Sequence, residues 1–195
     1  MVMWNQRIVK SKIIVFVFLL ICMSCHSQII PVEDYRNYPH DIPDGAYIKD
    51  VNNILDKYVG TWEGNNQGKH YEFFIIEETT NFLEITSDEL WITYRITDNT
   101  TGNILVDTTS PFIDSWLIIK GKYFMLNAEI YVLSYLGLES NCGQNGDVHI
   151  AIQQGNENLM KLVLHPYGEV YYPNCPDGSV YQVLPTGNGI LLERQ

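Results

Sequence analysis

Apolar side chains at every second position leave this chain little alternative to a β-sheet. Tyr71, Phe73 and Ile75 alternate with Glu72, Phe74 and Ile76, and Leu90, Ile92, Tyr94 and Ile96 alternate with Trp91, Thr93, Arg95 and Thr97. This is the period at which successive side chains point to opposite faces of a strand. Further strands are expected at 82–86, 104–107, 116–120, 123–127, 129–135, 148–153, 159–165, 180–184 and 190–193. Turn chemistry separates them at 98–102, at Gly121, at 155–158 and at 186–189. Such a run of short strands argues for an all-β fold, a single antiparallel barrel of about 8–10 strands. One short helix precedes it, because Ile54, Leu55 and Tyr58 fall at helical spacing between an Asp50 cap and a Gly60 stop. Gly60 and Trp62 then make the first corner, a sharp backbone entry followed by a large anchor for the barrel floor. Pairs such as Phe73/Phe74 and the run 116–119 are apolar on both faces. The interior is therefore either a cavity for one small ligand or a core filled by Phe, Tyr and Trp.

The first residues belong to export rather than to the fold. Arg7, Lys10 and Lys12 precede an apolar run at 13–23 that meets Ser24-Cys25. A basic region, an apolar stretch too short to span a bilayer and a small residue before the cut form a secretory signal. Cys25 after Ser24 resembles a bacterial lipobox, in which the cysteine becomes the lipidated first residue, carrying acyl chains such as palmitate. The expected organisation is a signal peptide at 1–24, a lipidated tether at 25–50 and the barrel at 51–195. Pro31, Pro39 and Pro43 keep the tether extended, and its Tyr35, Tyr38 and Tyr47 are available to dock it on the domain. The expected location is the bacterial cell envelope, on the outer membrane, facing either the periplasm or the cell surface. The net charge of −11 becomes more negative once the basic signal is removed, which excludes a nucleic-acid partner and leaves membrane attachment to the lipid.

Of the four cysteines, Cys142 and Cys175 remain for the exported domain. Both sit in turn-like sequence flanking the 148–165 hairpin, and an oxidising compartment favours a disulfide there over a redox or metal site. No nucleophile–base motif, phosphate loop or metal-ligand spacing occurs, so no catalytic residue, metal or cofactor is expected. His40, His70, His149 and His165 are scattered. Asp34, Asp41 and Asp44 lack calcium-loop spacing and read as solvated charge. Glu72, Glu84 and Arg95 lie in strand patterns and read as outward-facing.

The Gly60-Thr61-Trp62 entry resembles that of lipocalins and related calycin barrels, which implies a lipocalin-like barrel with a basic residue packed over the tryptophan. Arg194 is the matching candidate. Trp62, Arg194, Tyr94 and Trp116 are the expected ligand-binding or barrel-closing residues. A broader resemblance runs through Ser24-Cys25, 46–50, 58–62, 90–94, Asn141-Cys142-Gly143, Cys175-Pro176 and Leu184-Pro185. These look like a family of small flavobacterial lipoproteins carrying a domain of unknown function. That resemblance implies export and a compact β domain and supplies no catalytic residues. The expected function is non-enzymatic binding of a small apolar or amphipathic ligand by a membrane-anchored envelope protein. The alternative is an envelope protein–protein interaction module with a filled barrel.

Overall fold

A computed structural model of the protein describes residues 28–110, 115–125, 129–168, 175 and 182–195. The described strands are β1 (Ile29–Pro31), β2 (Tyr47–Lys49), β3 (Gly60–Asn66), β4 (Lys69–Phe82), β5 (Ile85–Asp98), β6 (Ile104–Asp107), β7 (Ile119–Met125), β8 (Ile130–Leu136), β9 (Asn145–Gln153), β10 (Asn156–Pro166) and β11 (Ile190–Arg194). Eight of them close an antiparallel barrel. The path runs β3-β4-β5-β7-β8-β9-β10-β11, and β11 returns to β3 through Glu193–Glu63 and Arg194–Trp62. β5 meets β7 only at Trp91–Lys120 and Ile92–Ile119. The expected all-β barrel is thus what the chain forms, and its alternating positions supply the core: Trp62, Tyr71, Phe73, Ile75, Leu90, Ile92, Tyr94, Tyr131, Leu133 and Tyr135 all point inward and are buried.

Two strands outrun the barrel. β4 and β5 pair without interruption from Lys69–Asp98 to Phe82–Ile85, whereas β3 stops pairing with β4 at Gly60–Ile75. The remaining seven residues of β4 therefore carry the hairpin about 20 Å past the barrel end, at ~3.3 Å per residue. This arm is widened by the segment expected to be a tether. β2 pairs parallel with β5 through Tyr47–Thr86 and Ile48–Ser87, and β1 pairs parallel with β2. Within 28–50, two three-residue strands thus join the sheet, with a loop and one 3-10 turn between them. Asp88, buried in the arm, fastens it by accepting hydrogen bonds from Tyr47 Oη at 2.7 Å, Asp50 N–H at 3.0 Å and Thr79 Oγ1 at 2.7 Å.

Four local expectations change. The helix at 51–58 shrinks to one 3-10 turn, Asp56–Tyr58. Asn53 takes a left-handed φ of 53°, and the Asp50 carboxylate binds the N–H groups of Ile54 and Leu55, so the loop is held by a side chain instead of a helical ladder. Phe82 to Thr86 is not a strand of its own; it holds the β4–β5 turn, with Leu83 and Glu84 at positive φ. Gly121 is not a turn but lies inside β7, at a register shift. A Cβ there would sit 2.1 Å from the Tyr131 hydroxyl, so only glycine lets the two strands close. Ser115–Leu117 is a 3-10 turn rather than strand, and residues 180–181 of the strand expected at 180–184 lie outside the described residues.

Candidate functional site

The floor of the barrel is built on Trp62. Its indole N–H donates to the Tyr58 carbonyl at 2.8 Å, and the Arg194 guanidinium lies over its ring at 4.4 Å. Arg194 Nη1 donates to the Val59 carbonyl at 2.7 Å and Nη2 to the Lys57 carbonyl. Three successive carbonyls that no strand partner takes are thus all bound by side chains, and the last strand is fastened to the entry of the first. Gly60, at φ 133°, lies directly beneath Arg194.

Above this floor the interior is occupied by rings. Phe124 and Tyr131 stand 4.6 Å apart between centroids, Tyr58 lies against both, and Phe73 links Tyr71 to Tyr94. Trp62, Tyr58, Phe73, Leu90, Ile92, Leu133, Tyr135, Val148, Ile150, Met160, Leu162 and Leu192 show no exposed area. A side chain lining a void that admits water would carry some, so the space these residues share is packed. Burial pushes the phenols of Tyr58, Tyr131 and Tyr135 far above their ordinary range, and that of Tyr94 up to about 12. Tyr94 lies in the wall in register with Trp62 across Phe73, and its hydroxyl interacts with that of Tyr135.

Space for a ligand lies outside. A cleft of about 410 Å³ separates the arm from β7, with Tyr35, Ile48, Phe82, Ile85 and Tyr123 among its apolar walls and Glu89 and Lys122 among its polar ones. Arg36 stacks on Tyr123 at 4.6 Å, and the Glu89 carboxylate accepts from the Trp91 indole at 2.7 Å. A smaller cleft of about 220 Å³ opens at the opposite end, between Tyr94, Leu105, Val106 and Leu138. A third, about 650 Å³, follows the floor-side turn around Gln153, Gln154 and Gly155. All three open to solvent.

Charged groups on the outer wall are engaged with one another. Arg95 lies 3.6 Å from Glu72 and 3.1 Å from Asp107, and Lys122 lies 2.8 Å from Asp147, which also accepts from Tyr167 Oη. Burial raises the Asp147 carboxyl, but these two donors outweigh it and hold the group below its ordinary value. Two groupings were not legible in the sequence. Glu63, His70 and Glu72 offer ligand atoms within 4.8 Å of one another, because β3–β4 register sets Glu63 opposite Glu72. The Arg95 cation beside Glu72 already supplies positive charge there. The His149 and His165 rings lie 4.2 Å apart between centroids, tilted by 43°, on neighbouring strands, and burial followed by the second imidazole lowers His149.

The expected site residues therefore separate. Trp62 and Arg194 meet at the floor, Tyr94 is walled into the interior, and Trp116 is 43% exposed because the 3-10 turn buries Leu117 and turns Trp116 outward. Cys142 and Cys175 stand at disulfide-bonding distance, with Cα atoms 5.2 Å apart, and Cys175 is buried. Cys25 lies outside the described residues. Among the described residues no helix is long and apolar enough to cross a membrane.

No curated protein and no solved structure matches this chain. One family profile, described as a family of unknown function (DUF6705), matches residues 9–159, a span that holds Trp62, the arm and the outer cleft. With most of its length matched, the chain belongs to that family.

Proposed function

We propose that this is an exported, lipid-anchored and non-enzymatic interaction module of the bacterial envelope, which holds an extended amphipathic segment of a partner protein in the cleft between the arm and β7. The observation that carries this reading is the contrast between a ring-packed interior without exposed area and an apolar cleft outside it. Carriage of a small ligand inside the barrel loses its main support to the same contrast. The cleft has the composition of a recognition groove, with aromatic and aliphatic walls and the opposite charges of Glu89 and Lys122. It also lies where β7 diverges from β5 after two paired residues, a geometry suited to an extended chain. Anchoring is supported by Ser24-Cys25 after the apolar run, and export by the cysteine pair at bonding distance.

The test is site-specific photo-crosslinking in native envelopes, with the probe at Ser87 or Lys122 in the cleft and at Thr100 at the opposite end. The expected result is one discrete protein adduct shared by the two cleft positions, absent at Thr100 and diminished by Tyr123→Asp. Adducts to lipid alone, or equal adducts at Thr100, would contradict the proposal.

A further inference from the structure

We infer that the tip of the arm, Phe82-Leu83, is a membrane-contacting wedge that enters a zwitterionic bilayer surface beside the N-terminal attachment point and sets the barrel's orientation above it. This rests on the membrane attachment proposed above and adds a second, protein-borne contact to it.

Three observations converge on the tip. The first is exposure: Phe82 and Leu83 are 74% and 75% exposed, more than any other large apolar residue described. The second is backbone conformation. Leu83 and Glu84 are the central residues of a two-residue turn and both take positive φ, 47° and 67°. That turn is the one Asn-Gly serves without strain. A leucine there accepts a disfavoured conformation and gains no burial within the protein, which points to a use outside it.

The third is placement. The Gln28 carbonyl accepts from Tyr47 N–H at 2.8 Å, Ile29 pairs with Tyr47, Tyr47 pairs with Thr86, and Thr86 faces Asn81, one residue from Phe82. Gly45 N–H donates to the Glu84 carbonyl at 3.0 Å, which ties the same level together from the other side. The chain therefore enters the fold level with the arm tip. Cys25 precedes Gln28 by three residues, a reach of about 10 Å at most, comparable to the depth of the headgroup–acyl boundary. An acyl chain on Cys25 that enters the bilayer therefore holds Phe82 and Leu83 at the surface as well. Asp44 and Glu84 flank the tip, so an anionic surface would repel it and zwitterionic lipid is the matching partner.

The experiment uses the full chain extracted with its membrane attachment and reconstituted into phosphatidylcholine vesicles. A polarity-sensitive dye is placed at Leu83→Cys, at Phe82→Cys or, as a control, at Thr100→Cys. The expected result is co-flotation of all three, with a blue shift and bromolipid quenching at positions 82 and 83 and neither change at 100. Co-flotation with water-like emission at positions 82 and 83 would overturn the wedge while leaving the attachment standing. Failure to float would overturn both.

Discussion

Arg194 holds the barrel seam through two charge-assisted hydrogen bonds and a ring contact, so its removal strands two carbonyls under the floor. Arg194→Ala is expected to cost about 2–4 kcal/mol. Arg194→Lys, which keeps the charge but cannot fork to both carbonyls, is expected to cost less, about 1–2 kcal/mol. Urea denaturation checks both, and a variant at wild-type stability would show that the seam does not depend on this residue. The buried phenols give the fold a pH limit. Their folded pKa values lie above the unfolded value of about 10, so the neutral form is the one folding favours. That stability is fully present below pH ~10 and drains as pH rises toward the folded values. Denaturant midpoints should therefore fall steeply above pH ~10, with phenolate absorbance from Tyr58, Tyr94, Tyr131 and Tyr135 rising only as the barrel opens. Phenolate absorbance from all 13 tyrosines in an intact fold would contradict this.

The arm depends on Asp88 much as the seam depends on Arg194. Asp88→Ala leaves Tyr47, Thr79 and the Asp50 N–H without their acceptor and is expected to cost about 2–3 kcal/mol. Its distinctive sign would be faster proteolysis within residues 28–50 while the barrel stays resistant; uniform resistance would show that β1 and β2 are held otherwise. What sequence reading recovers follows from how local each signal is. Alternation fixed the inward faces of β4 and β5, and the Gly60-Trp62 spacing with a late arginine pointed to the floor. The lost helix turns on Asn53, whose left-handed backbone no periodicity announces. The four apolar residues 116–119 point to a strand, but a 3-10 turn takes Trp116 and Leu117 out of it and β7 begins only at Ile119. The arm was hidden for a different reason. The polar run Glu77–Asn81 carries no apolar alternation to announce a strand that continues after β3 has ended, and the outer cleft arises from parallel pairing of β2 with β5 some forty residues away.

At the scale of the whole molecule, a closed wall with a packed interior moves recognition to the outside, to the cleft and the arm tip, both on the side where the chain enters. The opposite end is where Cys142 and Cys175 meet across a separation of 33 residues. Closing that loop is expected to stabilise the fold by roughly 3–4 kcal/mol. Reduction should therefore lower the denaturation midpoint, and the intact mass of the unreduced protein should be lighter by two hydrogens than that of the reduced chain. An unchanged mass and midpoint would show two free thiols. The central claim, that the barrel carries nothing inside, is tested most directly by native mass spectrometry of the protein purified from its own envelope. The account predicts a mass equal to the polypeptide with its covalent modifications, the same under native and denaturing conditions. A stoichiometric small-molecule adduct that is present natively and lost on unfolding would contradict it.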